Sequence, residues 1–420
     1  MNKKAALIIS FFFIQNLIHN IGHPVTPSFV NDLAIPDYMF GLFFAAMSFG
    51  MMVGAPIWGI LSDQGRRKLW IGIGLSMYTL GQLAFGYVGD SVLMVLARLF
   101  SGLGVVSAIT IFTAIIVEQT EAKKRAKILA FVAAATTLGA SLGYYLGGFL
   151  ATNQVMINLL HTDNLSTMFL IQAILNALYT LLIILTLNDV KVGLTFQQKP
   201  SMVLGLKSIT KIDKRLLIFF ISLTLMNMAS TNLSKYIDIY FIDLGYTAQD
   251  LGTYVMITGF VSLFASIFLV RLATKFRKQL VLIAVMNILS SLIVFIVFRS
   301  NYFITMMYTV YLIYVIFKTL YVPLEQSYIA KEAKEGQYGS VMGLRQSFVS
   351  LGMVLGPVIG GFLYDVSPSL LFDFNGVLFL LGVLFIFGVM LIEKKRSTLL
   401  NRANEIINQE VLKSTEFKES

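Results

Sequence analysis

Five ionisable side chains lie inside long apolar stretches of this sequence. They are Arg98, Lys235, Asp238, Lys318 and Glu325. A charge at the centre of a lipid bilayer costs at least about 2.5–3.5 kcal/mol on insertion scales, so such residues usually mark the path of an ion, a proton or a charged ligand. These five residues are therefore the first candidates for chemistry, as groups that bind a charged molecule or carry a proton.

Two stripes of polar side chains accompany these charges, each at the spacing of one helix face. The first stripe consists of Asn16, His19, Asn20 and His23, and the second of Asn227, Thr231, Ser234 and Asp238. Imidazole titrates near neutral pH, where it can load and release a proton. We predict that proton coupling depends on one of four groups: His19, His23, Asp238 or Glu325. Two alternatives stay open, because the histidines can serve helix contacts and Lys235 can neutralise Asp238 three residues later.

The sequence has no motif of the common catalytic or metal sites. It contains no cysteine, which excludes disulfides, thiolate metal ligands and a cysteine nucleophile, and it has only three histidines. No phosphate-binding loop and no His-Glu-x-x-His pattern occurs, so ATP is not expected to drive the protein directly. We therefore expect no enzymatic activity, no catalytic residue, no metal and no cofactor.

The composition indicates that membrane spans hold the candidate residues. Hydrophobic residues make up 57% of the 420 residues and charged residues 13%, against about 25% charged in an ordinary soluble domain. Apolar stretches long enough to cross about 30 Å of hydrocarbon recur along the chain. Their predicted limits are 5–29, 39–61, 69–89, 92–117, 127–151, 166–187, 216–240, 249–271, 279–298, 303–329, 338–363 and 369–392. The chain is thus predicted to be an all-α integral membrane protein with twelve transmembrane helices.

The distribution of charge predicts the orientation in the bilayer. With the N-terminus in the cytoplasm, the inside connections carry the basic clusters at 66–68, 123–127, 191–215 and 271–278, and the outside loops carry one basic residue, Arg299. The outside acids are Asp32, Asp37, Asp90, Asp163, Asp243, Asp250, Asp365 and Asp373. Topology therefore explains most of the net charge of +10, and no nucleic-acid partner is expected. We expect a multi-pass protein of a bacterial cell membrane with both termini in the cytoplasm.

The chain divides into two similar halves. A polar connection at 188–213 separates a predicted six-helix bundle at 1–187 from a second at 214–392, and a cytoplasmic tail follows at 393–420. Residues 138–150 align without gaps on residues 351–363, 213 positions later. Close helix packing is predicted for Gly139, Gly143, Gly147, Gly148, Gly352, Gly356, Pro357, Gly360 and Gly361. Such repeats are typical of transporters with a binding site between the halves. For the tail, a helix on the inner membrane surface and a disordered end both remain open.

A loop motif between the second and third predicted spans resembles a family signature. The segment reads Gly59-Ile60-Leu61-Ser62-Asp63-Gln64-Gly65-Arg66-Arg67-Lys68. It is similar to the Gly-x-Leu-Ser/Ala-Asp pattern, followed by glycine and two basic residues, of the major facilitator superfamily. The family usually has two residues between Asp63 and Gly65, and here only Gln64 intervenes. In the second half, residues 272–278 keep the basic residues without the acid or the glycine. The span count, the middle connection and the repeat extend the resemblance over the whole chain.

The resemblance implies a fold of two pseudo-symmetric six-helix bundles and roles for particular residues. A latch that holds the halves together in the outward-facing state would consist of Gly59, Asp63, Gly65, Arg66 and Arg67; alternatively, the basic residues only anchor the loop in the cytoplasm. In the family, spans one, four, seven and ten line the central cavity. A substrate and proton pathway is therefore expected from Asn16, His19, Asn20, His23, Arg98, Asn227, Lys235, Asp238, Lys318 and Glu325. Arg345 is expected to extend to the inner membrane surface.

Two further motifs are similar to those of proton-coupled exporters. Arg98 precedes Gly102 by four residues in the predicted fourth span, as in the exporters' Arg-x-x-x-Gly motif. The glycine-rich fifth span resembles the antiporter motif, but Tyr144 follows Gly143 where the family has proline. The second half has the expected pair at 356–357.

The function expected from these features is secondary active transport by alternating access. The main expectation is a monomer that exports small molecules, drugs or metabolites, in exchange for protons. Transport of an anionic metabolite is an alternative, because Arg98, Lys235 and Lys318 outnumber the acids expected in the cavity. A lipid flippase or a membrane receptor without transport is an alternative of another class. The expected partners are a small-molecule substrate, protons and the lipid bilayer.

Overall fold

The structure, a computed structural model, describes residues 3–63, 65–187, 213–276, 278–332 and 338–419. These residues form helices joined by short turns, without a strand. The first half consists of α1 (Lys3–Asn20), α2 (Thr26–Asp32), α3 (Asp37–Asp63), α4 (Arg67–Tyr87), α5 (Ser91–Gln119), α6 (Ala122–Thr152), α7 (Gln154–Leu160) and α8 (Ser166–Thr186). The second half consists of α9 (Lys214–Asp243), α10 (Ala248–Phe264), α11 (Val270–Ala273), α12 (Gln279–Phe298), α13 (Phe303–Tyr308), α14 (Val310–Glu332), α15 (Tyr338–Val366) and α16 (Pro368–Glu419).

The predicted twelve-helix architecture is confirmed. Ten helical segments of the described chain are long and apolar enough to cross a membrane: α3, α4, α5, α6, α8, α9, α10 with α11, α12, α15 and the first part of α16. The other two spans are α1, which packs against α6 and α8, and α14, which packs against α12. The polar stripe lowers the hydropathy of α1, and the charges Lys318 and Glu325 lower that of α14.

Several predicted spans contain breaks that the hydrophobic pattern did not predict. The first span ends as a helix at Asn20 and resumes at Thr26, because Pro24 offers no N–H for a helical hydrogen bond and Pro27 suits a helix start. The eighth span passes through a π-helical turn, Ala265–Leu269. The tail continues α16 as a helix through Glu419, and the predicted position of this segment on the inner membrane surface stays a prediction.

The sequence repeat has a structural counterpart in helix packing. In the first half, Gly139, Gly143 and Gly147 of α6 lie against backbone carbonyls of α1, or in the turn that follows it. In the second half, Gly352, Gly356 and Gly360 of α15 lie against Thr224, Met228 and Asn232 of α9 in the same order. Each half therefore holds its fifth span against its first by the same row of glycines, which explains why the pattern recurs 213 residues later.

The neighbouring glycines face the other half instead. Gly148 of α6 approaches the carbonyl of Ala248 in α10, and Gly361 of α15 approaches that of Tyr38 in α3. Both contacts lie at one end of the bundle, which we call the acidic end because it carries Asp37 and the other aspartates of the short loops. The opposite end, with the α3–α4 and α11–α12 connections, is called the basic end.

Candidate functional site

The two halves are in contact at the acidic end. The ring of Tyr38 stacks on that of Phe362, with centroids 5.5 Å apart. A Cβ added to Gly361 would lie 2.8 Å from the Tyr38 carbonyl oxygen, so these backbones meet without a side chain between them. The pair of Gly148 and Ala248 closes the other side of the bundle in the same way. The acidic end is therefore closed in this conformation.

Toward the basic end the halves separate. Along the face of α3 that meets α15, Gly41 and Ala45 are buried, whereas Phe49, Pro56 and Asp63 are exposed. These positions recur at four- and seven-residue intervals and so lie on one helix face. The change from buried to exposed along that face shows that the space between the halves opens toward the basic end.

A cluster of five side chains joins the halves below the closed end, and we call it the junction cluster. Tyr144 Oη donates a hydrogen bond of 2.9 Å to Oδ2 of the buried Asp238. Lys235 Nζ lies 4.1 Å from the ring centroid of Phe44. The imidazole of His23 stacks between Phe44 and Tyr144, with centroids 5.6 and 5.4 Å away. The three rings belong to the first half and both charges to the second, so opening the acidic end would pull the cluster apart.

Arg98 is buried in the first half, and no acidic side chain among the described residues pairs with it. Its Nη1 donates to Gln82 Oε1 at 3.2 Å, and its guanidinium carbon lies 3.6 Å from the ring centroid of Phe85. An arginine over an aromatic face is stabilised by the ring quadrupole. The sequence predicts that the partner of Arg98 comes from another span. In the structure, the groups that contact Arg98 are a neutral amide and an aromatic ring, both on α4.

Four of the eight members of the predicted polar stripes bond inside their own half. Asn16, Asn20 and Asn227 each donate their amide to the carbonyl four residues earlier in the same helix. His19 Nε2 lies 2.9 Å from Asn176 Oδ1 on α8. Side chains that return to their own backbone or reach a neighbouring helix are satisfied without a ligand.

Lys318 of α14 lines a pocket inside the second half. Its side chain is exposed, and within the described part of the chain it makes no ion pair or hydrogen bond. The pocket is lined by Met226, Ser230, Met286, Asn287, Ser290, Tyr314, Phe317, Lys318, Tyr321 and Phe379. The walls are mainly aromatic rings and methionines, and the free space of about 10 Å³ has room for about one water molecule.

Glu325 pairs with Arg345 and not with Lys318. The carboxylate is 1% exposed and accepts from Nε of Arg345 at 2.9 Å, and Nη2 of the same guanidinium contacts it as well. The expectation that Arg345 extends to the membrane surface is wrong, because its guanidinium is held inside the bundle by this carboxylate. When two opposite charges are both buried, only close pairing offsets the cost of removing them from water.

In the loop motif, Arg67 makes the strongest contact. It is 1% exposed and binds Glu118 of α5 through two hydrogen bonds, of 2.7 and 2.6 Å. Its Nε also faces the carbonyl oxygen of Ser62 at 3.4 Å. This forked ion pair ties the start of α4 to the end of α5 within one half.

The other residues predicted for the latch, Gly59, Asp63, Gly65 and Arg66, are exposed or only partly buried. Asp63 is exposed and, among the described residues, has no hydrogen bond or ion pair. Gly65 and Arg66 adopt left-handed backbone angles, with φ of 88° and 53°, which form the turn between α3 and α4. A Cβ on Gly59 would meet only Thr110, at 3.9 Å. With the basic end open, no described residue of the second half reaches the motif, and the latch remains a prediction for the other conformation.

The second half has its own ionic network at the basic end. Arg215 donates to Asp213 Oδ2 at 2.8 Å and lies 3.0 Å from Glu332 Oε2. Hydrogen bonds from Arg215 hold the pKa of the Asp213 carboxyl below its usual range. This network joins the start of α9 to the end of α14.

Several contact residues were missed by sequence reasoning. Phe44, Gln82, Phe85 and Asn176 are ordinary members of apolar helices, and nothing in their spacing distinguishes them. Tyr144 did carry a signal, because it stands where the antiporter motif has proline. The structure places this tyrosine on Asp238, 94 positions away.

Comparison with known proteins agrees with this architecture. A model of the Major Facilitator Superfamily matches residues 7–317 and also residues 241–417. The chain belongs to the major facilitator superfamily. Superfamily members are transporters and not enzymes, so the chain is a multi-pass membrane protein of a secondary transporter family with small-molecule substrates.

The curated relatives within the superfamily include bacterial drug exporters. The chain is 28% identical to "Multidrug resistance protein 1" of Bacillus subtilis (strain 168) over 388 residues, which cover 91% of this chain and 95% of that protein. It is 27% identical to "Quinolone resistance protein NorA" of Staphylococcus aureus (strain COL) over 377 residues, covering 87% and 91%.

Solved superfamily structures share the fold. A bacterial homologue of the human lysosomal transporter Spinster, in an inward-facing and unoccupied conformation, matches with a TM-score of 0.75 at 13% identity, covering 93% of this chain and 97% of that one. A D-xylose–proton symporter matches with a TM-score of 0.70 at 16% identity, covering 90% and 96%. At these identities the likeness shows the fold alone.

Proposed function

We propose that this protein exports small molecules from the cytoplasm of a bacterium in exchange for protons, with its acidic end outside the cell. The basic clusters favour this orientation, because positively charged loops stay in the cytoplasm. The conformation described above is then open to the cytoplasm and closed to the outside. The relatives named for drug resistance support an export direction.

The observation that carries the proposal is the hydrogen bond between Tyr144 and Asp238. Asp238 is a buried acid at the point where the halves meet, and its partner lies on the opposite half. Loss or gain of a proton changes what this carboxyl can accept or donate. Protonation of one group can thus bias the opening of the acidic end, which is the requirement for coupling a proton to alternating access. Lys235 lies close enough to interact with this charge.

The experiment is transport by the purified chain in proteoliposomes. Ethidium serves as the probe, because its permanent positive charge does not depend on pH. Vesicles with an acidic interior should accumulate ethidium against its gradient, and an ionophore that collapses the pH difference should abolish the accumulation. Equilibration without accumulation would contradict proton coupling, and absence of any flux would favour a receptor.

The Asp238→Asn variant makes the test specific. Asparagine keeps the shape and can still accept the hydrogen bond of Tyr144, but it cannot release a proton. We expect this variant to exchange ethidium between the two sides and to lose uphill accumulation. Uphill accumulation at the wild-type rate would assign the proton to another group, with His19, His23 and Glu325 as the remaining candidates.

A second candidate function is the export of an anionic metabolite. It is favoured by the cations Arg98, Lys235 and Lys318, which outnumber Asp238, the one acid in the middle of the described spans that no described arginine binds. Comparison of ethidium with an organic carboxylate as transported probes separates the two candidates.

A further inference from the structure

Two grooves of similar size lie on the surface of the first half. The first, which we call the α4–α8 groove, has a volume of about 590 Å³ and is lined by Lys68, Leu69, Gly72, Ile73, Ser76, Met77, Leu80 and Ile184. The second, which we call the α1–α6 groove, has a volume of about 600 Å³ and is lined by Ile9, Ser10, Phe13, Ile14, Phe131, Ala134, Ala135 and Leu138. Lys68 gives the first groove a charge, whereas the lining residues of the second are uncharged.

The α4–α8 groove faces the lipid. Its residues on α4 recur at intervals of three and four, so they lie on one face of this helix. Leu69, Ile73 and Leu80 on that face are exposed, and lipid tails are as apolar as such side chains. A different face of α4 packs against α5, where a Cβ added to Gly74 would lie 2.7 Å from the carbonyl oxygen of Gly104. The groove is therefore an outer surface of the first half.

The dimensions of the groove match one leaflet of the bilayer. Lys68 and Leu80 are twelve residues apart, which corresponds to about 18 Å along the helix. One leaflet contributes about 15 Å of hydrocarbon, half of the total thickness. Gly72 keeps the groove open because it has no side chain, and the nearest neighbour of a Cβ there would be Ile184 Cδ1, at 3.4 Å. The groove is long and apolar enough to hold one acyl chain.

The end of the groove at Lys68 suits an anion. No described side chain caps the N-terminus of α4, where the helix dipole places positive partial charge. Arg66 is exposed beside it, whereas Arg67 is bound by Glu118. The exposed carboxylate of Asp63 at the end of α3 opposes these charges, but Arg66 and Lys68 outnumber it. The α1–α6 groove has no such charge among its lining residues and serves as an internal comparison.

We propose that the α4–α8 groove binds an anionic phospholipid, with the headgroup phosphate at Lys68 and the N-terminus of α4 and one acyl chain along Gly72 and Leu80. With the basic end in the cytoplasm, as proposed above, this lipid belongs to the inner leaflet. Basic pockets between spans on the cytoplasmic side are suited to anionic headgroups. The groove lies within one half, so the proposal depends neither on the transported substrate nor on the coupling ion.

The test is binding of two matched lipids to the full chain in detergent, measured by native mass spectrometry. Dioleoyl phosphatidylglycerol and dioleoyl phosphatidylcholine have the same acyl chains, but the first carries a net negative charge and the second does not. Lys68→Gln should weaken binding of the phosphatidylglycerol by about fivefold, the contribution of one basic residue near an anionic headgroup, and change that of the phosphatidylcholine by less than about twofold. Gly72→Leu fills the groove and should weaken both lipids alike.

Three further variants serve as controls. Ala134→Leu narrows the α1–α6 groove and should leave the preference for phosphatidylglycerol unchanged. Lys275→Gln removes an exposed lysine at the basic end of the second half and should also leave it unchanged. Lys68→Arg should keep the preference, and the thermal unfolding midpoint of each variant distinguishes loss of binding from loss of folding.

Three results would overturn the proposal. The first is equal affinity of the wild-type chain for the two lipids, and the second is a Lys68→Gln variant that retains the full preference. The third is displacement of the bound lipid by an equal concentration of glycerol 3-phosphate, which has the charged group without acyl chains and should not compete if the groove holds a chain. None of these measurements involves ethidium flux, so failure of proton-coupled export would leave the lipid site standing, and the reverse holds as well.

Discussion

At the scale of single residues, each charge inside the bundle depends on the group that compensates it. Arg67 is almost fully buried, whereas the side chain of its partner Glu118 is 46% exposed. The carboxylate is thus partly screened by its surroundings, and the arginine is not. Loss of the carboxylate would leave a buried guanidinium without an anion.

We therefore expect Glu118→Gln to destabilise the first half by about 1–3 kcal/mol, the cost of an unsatisfied buried polar group discounted for the exposed partner. Thermal unfolding in one detergent measures the effect. Arg66→Gln, a change at the exposed neighbour of Arg67, is the matched control and should leave the midpoint unchanged. An unchanged midpoint for Glu118→Gln would mean that another group satisfies Arg67.

The buried pair of Glu325 and Arg345 should be more sensitive. Removal of one partner of a fully buried ion pair costs about 3–5 kcal/mol, because it leaves an uncompensated charge. We expect Arg345→Ala to lower the unfolding midpoint strongly. The double variant Glu325→Leu with Arg345→Met, which removes both charges and keeps the volume, should recover most of the loss. Failure of the double variant to recover would assign the effect of Arg345 to packing and not to charge.

At the scale of helices, the glycine pairs of α6 and α15 serve two interfaces. Gly143 lies against the carbonyl of Leu17 within the first half, whereas Gly148 lies against Ala248 of the second half. A larger side chain at the first position strains the fold of one half. At the second position it strains only the conformation in which the acidic end is closed.

This difference predicts that two similar substitutions affect different properties, one the stability of the fold and the other the rate of transport. Gly143→Val should lower the unfolding midpoint, since overpacking a helix contact costs about 1–3 kcal/mol. Gly148→Val should keep the midpoint close to wild type and slow transport, because the acidic end can no longer close fully. Unfolding and ethidium flux measured on both variants check the prediction; equal loss of stability would show that Gly148 also supports the fold.

Sequence patterns predicted most of these elements but few of the contacts between them. The apolar stretches gave the spans within a few residues, because hydrophobicity and helix length are local properties. The repeat of residues 138–150 predicted where glycines recur. The pairing of Glu325 with Arg345, and of Tyr144 with Asp238, depends on which helices become neighbours, and one sequence contains no direct signal for that. The partners of Arg98 were missed for the same reason, since a glutamine and a phenylalanine on α4 resemble their neighbours.

At the scale of the whole molecule, the proposed transport cycle needs two conformations of the same halves. In the conformation described here the acidic end is closed by Tyr38, Phe362 and the glycine contacts, and the face of α3 becomes exposed toward Asp63. Alternating access requires the reverse arrangement as well, in which the junction cluster separates and the loop motif meets the second half. The predicted latch at Asp63 belongs to that second conformation.

Distance measurements between spin labels test this claim most directly, and the natural absence of cysteine allows labels at chosen sites without background. One labelled pair, Leu33→Cys with Val366→Cys, spans the acidic end, and another, Ile60→Cys with Gln346→Cys, spans the basic end; all four positions are exposed. On a change from alkaline to acidic buffer in nanodiscs, we predict that the populations shift in opposite senses, so that one pair gains longer distances while the other gains shorter ones. Distances that change in the same sense at both ends, or that stay fixed in protein that transports ethidium, would contradict alternating access around the central cavity.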